Sequence, residues 1–294
     1  MGRLTDREFW EKRYEGKPDD EVPEVRFGLR GVLDRARLRA GARPGDAYYM
    51  HLMTECYRNH LPANPDWKVI EIGCAPGRSL IRFARLFGYQ PYGVEYTPNG
   101  AALTREYFEA CGESPDNVIE ADFFSEAFLQ QWEGQFDVVF SGGFIEHFDD
   151  PATAVANHAR LLKEGGYLVC SIPNLNSWSW PLFRLFSPDI LDVHNLSIMR
   201  LGPYRSLFEG LGLTEAHCDY VGTFDLVAVA SMAHSDSGLA RFVARIADKF
   251  ADIMNHLLFM ILRGRALESR MSPMIIYIGR KTGSAAQTGN TPGA

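Results

Sequence analysis

Apolar and polar positions follow two different periods along this chain, and the points where one gives way to the other mark its elements. Trp67 to Ile72 is an apolar, β-branched run without helical spacing, the pattern of a strand buried on both faces. Directly after it Leu80, Phe83, Ala84 and Phe87 recur at i, i+3, i+4 and i+7, with Arg78, Arg82 and Arg85 off that face. This predicts an amphipathic helix stopped by a left-handed Gly88. Further strands are expected at Tyr89 to Tyr96, Asn117 to Phe124 and Phe136 to Gly143. Leu161 to Asn174 closes a helix on Gly165 and Gly166 and opens a fifth strand. Pro203 to Leu213 reads as a helix, Thr214 to Gly222 as a sixth strand and Met274 to Arg280 as the last. Upstream, two helical stretches, Thr5 to Tyr14 and roughly 46–59, are joined by a charged, proline-containing link. Leu239, Phe242, Val243, Ile246, Phe250, Ile253, Leu257 and Ile261 form one apolar stripe, which predicts an amphipathic helix inserted before the last strand.

The nonapeptide VIEIGCAPG, Val69 to Gly77, ends a buried strand in an acid and a turn of small residues just before a helix. Gly73, Ala75 and Gly77 keep that turn free of bulk, so backbone N–H groups can approach a ligand, and Pro76 suits a helix start. The spacing separates two classes of nucleotide-type cofactor. A dinucleotide turn needs glycine at its first, third and sixth positions to admit a pyrophosphate. Here those positions hold Gly73, Ala75 and Arg78, which argues against NAD or FAD and for a cofactor without phosphates.

This stretch resembles the first motif of the class I S-adenosylmethionine-dependent methyltransferases. The resemblance is strong over Trp67 to Asn174 and weaker to Arg280. It implies a Rossmann-like α/β fold, a seven-stranded, mostly parallel sheet with helices on both faces and an antiparallel last strand. In that reading Glu71 orders the turn and faces the cofactor's amino group, while Gly73, Cys74, Ala75 and Gly77 make room for it. Glu95, at the end of the YQPYGVEY strand beside Tyr96, accepts the ribose hydroxyls. Asp122 stands near the adenine amino group with Phe123 stacked on the base. Ser141 and Gly142 lie where the fourth strand breaks beside the transferred methyl. Trp10 and Tyr14 of the leading helix can shield the sulfonium, since aromatic faces favour a cation and exclude water.

Composition narrows the class. With 46% hydrophobic residues in 294, the chain can bury a full core and carry accessory segments. Its net charge of −7, without a basic stripe, disfavours nucleic acid as a partner. The five cysteines are far apart and unpaired in spacing, as in a reduced, cytoplasmic protein. No window is long and apolar enough to predict stable membrane insertion.

The base that methyl transfer to a hydroxyl requires is expected after the fourth strand, where GGFIEHFDDP offers Glu146 and His147. This segment resembles the ExxEH element of methyltransferases acting on ubiquinone precursors and small-RNA ends, in which acids and histidines hold a divalent metal. Gly143 replaces the first acid here. The expectation is therefore a metal-free site with His147 or His194 as base and Glu146 beside them, a set of Glu146, His147 and His194 around an ion being the alternative. Trp178, Trp180, Phe183 and Phe186, in the long aromatic loop 174–197, are expected to line or cover an apolar substrate pocket.

The expected organisation is a helical cap (1–65), a methyltransferase core (66–282) containing loop 174–197 and an insertion at about 236–270, and a disordered tail (283–294). The expected reaction is methyl transfer from S-adenosylmethionine to an oxygen, less readily a nitrogen, of an apolar or aromatic small-molecule metabolite, with homodimerisation open. Rival readings are a lipid or quinone-precursor O-methyltransferase at a membrane surface, an RNA methyltransferase, and a non-catalytic cofactor-binding protein.

Overall fold

The computed structural model describes residues 2–15, 48–177, 180–186, 188–222 and 272–282, with positions 257, 261 and 270. Two helices, α1 (Arg7–Tyr14) and α2 (Tyr48–His60), precede the sheet. Then follow β1 (Lys68–Ile72), α3 (Arg78–Phe87), β2 (Gln90–Glu95), α4 (Pro98–Cys111), β3 (Val118–Glu120), α5 (Glu126–Trp132), β4 (Phe136–Gly142), α6 (Pro151–Leu161) and β5 (Leu162–Pro173). Short helices α7 (Trp180–Phe186), α8 (Pro188–Asp192) and α9 (Leu201–Ser206) lead to β6 (Leu213–Val221) and β7 (Met274–Lys281).

The seven strands order as β3-β2-β1-β4-β5-β7-β6. Strands β1 to β5 pair in parallel, and β7 runs antiparallel between β5 and β6. This is the expected architecture. Strand order reverses direction between β1 and β4, and in open sheets of this kind the crevice at that switch, beyond the carboxyl ends of the strands, is where ligands bind.

Alternation along each strand divides the core between the two faces. Ile70, Ile72, Val139, Leu168, Cys170, Ile275 and Tyr277 pack on one side against Ala154 and Val155 of α6 and Tyr204 of α9. Val69, Val138, Phe140, Val169, Ile276 and Ile278 pack on the other against α2, α3 and α4. The apolar stripe of α3 buries Leu80, Phe83, Ala84 and Phe87, and Phe83 stacks on Phe140 of β4 with centroids 4.6 Å apart. Gly88 ends that helix at φ +78°, as its spacing predicts.

Three expectations need correcting. Gly165 and Gly166 do not end a helix: α6 stops at Leu161, and the pair lies within β5, where the β4 pairing jumps from Phe136–Leu162 to Val138–Tyr167. The extra residues are accommodated by Gly165 at φ +81°. The third strand is shorter than expected, so Asp122 and Phe123 sit beyond it. The helix expected at Pro203 to Leu213 is instead the shorter, earlier α9. Loop 174–197 carries α7 and α8. Trp178, most of the link before residue 48, the tail 283–294 and nearly all of the 236–270 insertion lie outside the described residues. Within the insertion Leu257 and Ile261 are helical and exposed.

Candidate functional site

The β1–α3 turn shapes the floor of a cavity of about 620 Å³ at the switch point. Gly73 has φ +72°, and a Cβ added there would lie 2.8 Å from the Phe144 ring. Replacing Gly73 by alanine should destabilise the fold by about 1–2 kcal/mol, read as a lowered denaturation midpoint. Gly77 is also left-handed, at φ +91°. Cys74 turns its thiol away into the core, where a Cβ on Gly93 would come within 2.5 Å of the sulfur. Its side chain therefore packs the turn from behind.

Glu71 is buried beneath the turn. Its carboxylate accepts from the Leu80 backbone N–H, burial pushes its pKa up, and Oε2 is left without a hydrogen-bond partner. A buried, orphaned carboxylate oxygen suits a cationic amine. Glu95 is also buried, and its pKa is raised by desolvation although it accepts from the Thr97 backbone at 2.9 Å and the Thr97 hydroxyl at 2.7 Å. Both of those bonds fall on Oε1. The cavity is lined by Gly73, Glu95, Tyr96, Asp122, Phe123 and His147. Of the remaining expected cofactor residues, Ser141 is buried, with its hydroxyl 3.5 Å from the Cys170 sulfur, and Ala75 accepts from the Tyr14 hydroxyl at 3.3 Å. Phe123 is largely enclosed by Phe124, Phe144 and His158.

The N-terminal strap closes the mouth, a feature the sequence reading missed. Leu4 donates to the His147 carbonyl at 2.9 Å and Asp149 donates to Gly2 at 3.1 Å. Arg3 grips both oxygens of Asp122 at 2.8 and 2.7 Å and lies over Tyr96, 4.9 Å from its centroid. Trp10 and Tyr14 stack on one another above the cavity, and Trp10 sets its edge against His147. A short alternation of glycine, arginine and apolar residues carries no periodicity by which to recognise such a strap.

After β4 the chain turns through Gly143 and a single 3-10 turn, Ile145–His147. Glu146 is fully buried, neither of its oxygens has a partner, and desolvation raises its pKa to about 8. His147 Nδ1 lies 2.8 Å from the Val193 carbonyl and His194 Nδ1 lies 2.6 Å from that of Ile190. Each carbonyl requires a hydrogen on the nitrogen it faces, which leaves Nε2 of both rings as a lone-pair donor. Burial, with His194 alongside, lowers the His147 pKa to about 4, and burial lowers that of His194. Donor atoms of Glu146, His147 and His194 lie within 4.8 Å of one another. The set held as the alternative from the sequence is thus gathered in space, and its orphaned carboxylate fits a divalent cation. Gly143, at φ +70°, would place a Cβ 3.5 Å from Glu146 Oε1, so an acid restored there would be strained.

A second cavity of about 970 Å³ shares Gly143 with the first. Met53, Thr54 and Tyr57 of α2, Arg78, Arg82 and Phe83 of α3, and Phe140, Ser171 and Met274 of the sheet line it. The expected substrate residues lie elsewhere: Phe183 is packed in the core, Trp180 is half-buried with Arg184 over its ring, and Phe186 ends α7. Those of them that are described line neither cavity. Aromatic content alone does not tell a core side chain from a pocket wall.

Residues 29–227 match the family described as methyltransferase domain. The chain is 32% identical over 116 residues to a ubiquinone biosynthesis O-methyltransferase of Thiobacillus denitrificans, covering 39% of this chain and 48% of the relative. It is 32% identical over 124 residues to the enzyme of the same name from Albidiferax ferrireducens, covering 42% and 48%. The match thus spans about half the length of these relatives. Among solved structures, geranyl diphosphate C-methyltransferase from Streptomyces coelicolor A3(2), in complex with Mg2+, geranyl diphosphate and S-adenosyl-L-homocysteine, aligns with a TM-score of 0.52 at 15% identity. That alignment covers 92% of this chain and 87% of that one. The cyclase SpnF aligns at 0.52 and 15%, covering 86% and 92%. These likenesses show the fold, which carries more than one chemistry.

Proposed function

The chain belongs to the methyltransferase-domain family, and from that premise we propose that it transfers a methyl group from S-adenosylmethionine to an oxygen of a largely apolar small molecule. The observation that carries this reading is the pair of buried carboxylates at the switch point of the sheet, Glu71 with an oxygen left without a partner and Glu95 lining the cavity. When bound, S-adenosylmethionine supplies an electrophilic methyl on sulfur. Glu71 meets the amino group, Glu95 accepts from the ribose hydroxyls, and the glycine turn admits the chain between them. Asp122 serves the adenine amino group with the lone pairs that Arg3 leaves it. Trp10 and Tyr14 exclude water and lie where a cation is favoured.

The acceptor enters through the larger cavity and reaches Gly143, where the two cavities meet. His147 Nε2, neutral at physiological pH, takes the acceptor's hydroxyl proton while Val193 holds Nδ1–H. Removing a positioned base of this kind lowers turnover by about 10²–10⁴-fold. Replacing His147 by alanine should therefore depress kcat within that range and leave S-adenosylmethionine affinity nearly unchanged. Full turnover in that variant would take His147 out of the mechanism. The acceptor itself is found by incubating the protein with labelled S-adenosylmethionine and metabolite extracts and identifying the labelled product by mass. No transfer to any extract, with cofactor bound, would leave a binding protein. The O-methyltransferase names of the relatives, matched over about half their length, favour oxygen over nitrogen.

A second reading follows from Glu146. Both of its oxygens are buried without partners beside two imidazoles that present lone pairs. A divalent cation held by Glu146, His147 and His194 would satisfy them and would polarise the acceptor oxygen. Turnover that falls on chelation and returns with Mg2+ or Zn2+ supports this reading, and turnover indifferent to chelation supports His147 as an unassisted base.

No helix among the described residues is long and apolar enough to cross a membrane.

A further inference from the structure

On the far edge of the sheet, where α2 packs on β6, a different set of donor side chains converges. Cys56 and His60 are four residues apart on α2 and so share a face of the helix. Opposite them, the pairing of β6 with β7 shifts between Glu215 and His217. Such an irregularity re-aims the side chain that follows it. His217 is brought ring to ring with His60, at a centroid separation of 4.7 Å. One donor atom from each of Cys56, His60 and His217 lies within 4.8 Å of the other two.

The imidazoles are prepared as ligands. His60 Nδ1 lies 2.8 Å from the Cys56 carbonyl, which places the hydrogen on Nδ1 and the lone pair on Nε2. Metal-binding histidines are commonly oriented in this way, by a backbone carbonyl on the other ring nitrogen. His217 Nε2 is buried and has no hydrogen-bond partner. The carboxylates of Glu215 and Asp219 act on His217 from β6 and favour a positive charge nearby.

We propose that Cys56, His60 and His217 bind a divalent transition metal, zinc above others, with one coordination position open. One thiolate and two imidazoles match zinc's preference for nitrogen and sulfur, and the set lacks the oxygen ligands that magnesium or calcium need. An ion there ties α2 to the edge of the sheet, and α2 supplies Met53, Thr54 and Tyr57 to the wall of the larger cavity.

The test uses the full chain, stripped with a chelator and titrated with Co2+ as a spectroscopic substitute for zinc. A thiolate-to-cobalt charge-transfer band saturating at one equivalent and displaced by Zn2+ is expected. The band should vanish in Cys56→Ser. In His217→Ala the cobalt affinity should fall by more than the roughly 10–100-fold that loss of an outer-shell partner costs. His147→Ala should keep the band, because the Glu146, His147 and His194 set contains no sulfur. Zn2+ should raise the Tm of the wild type and leave that of Cys56→Ser, in which any ion bound elsewhere is unaffected, closer to its chelated value. Absence of a charge-transfer band in the wild type, or its persistence in Cys56→Ser, overturns the proposal. If Cys56→Ser fails to fold, His60→Gln and His217→Gln decide the matter: both should weaken the band, and an unchanged band in both overturns the site.

Discussion

Replacing Glu95 by alanine weakens S-adenosylmethionine binding by about 3 kcal/mol, roughly 100-fold in Kd, because hydrogen bonds to a charged acceptor contribute about 1.5–3 kcal/mol each. Two such bonds are at stake, and water entering the truncated side chain's place recovers part of their worth. Isothermal titration calorimetry reads the change directly. The fold should survive, since Glu95 closes β2 and its side-chain partner is Thr97, at the N-cap of α4, with neighbouring backbone N–H groups otherwise free to meet water. Glu95→Gln separates charge from shape: it can still accept through its amide oxygen and should lose less than alanine. Because burial raises the Glu95 pKa, affinity should also decline as the solution is acidified, at a pH above the ordinary carboxylate range. Unaltered affinity in Glu95→Ala removes the ribose assignment and with it the strongest support for the cofactor's orientation.

The second large effect concerns stability. A carboxyl that titrates at about 8 in the folded chain and at 4.5 when exposed binds protons on folding throughout the interval between those values. In the absence of a cation, stability is therefore fully present below the unfolded value and is lost as pH rises through the folded one, by about 1.4 kcal/mol per pH unit. From about pH 6.5 to 8, above the range in which the buried histidines oppose it, the loss amounts to about 2 kcal/mol, visible as a fall in Tm. His147 and His194 work in the opposite sense. Their lowered pKa values disfavour folding only under acid conditions, below the ordinary histidine value. The Glu146→Gln variant, nearly the same size and without a titrating group, should make the decline above about pH 6.5 shallower, with Glu71 keeping its own share, and be more stable than the parent at pH 8. A flat Tm in the chelated wild type over this range would mean that Glu146 is not the isolated carboxyl its surroundings indicate. Added Mg2+, which the Cys56, His60 and His217 set does not suit, that restores Tm at pH 8 in the wild type and not in Glu146→Gln would identify the cation that Glu146 holds.

Much of the fold was legible because its central strands are short apolar runs separated by helices with clear stripes. β1 and α3 follow the pattern of Trp67 to Gly88 closely, and the acids at the strand ends arrive where the switch point uses them. Local pattern failed where a backbone detail decides the outcome. Gly165 and Gly166 look like a helix stop, yet the register jump against β4 absorbs them within a strand. Phe183 reads as a pocket residue because aromatic density in a loop is ambiguous, and in the fold it is spent on the core. His194 could be named as a partner of His147, but the 4.5 Å separation of their rings depends on a turn nearly fifty positions downstream. Cys56, His60 and His217 are farther apart still, and only the packing of α2 on β6 unites them.

The strap formed by residues 2–5 has a kinetic consequence. Anchored to the His147–Asp149 turn by backbone bonds and to Asp122 by Arg3, it borders the cavity proposed for the cofactor. If the cofactor occupies that cavity as proposed, its exchange should be faster when the strap is released, as in Arg3→Ala. Salt, by screening the partly exposed Arg3–Asp122 pair, should speed that exchange in the same direction.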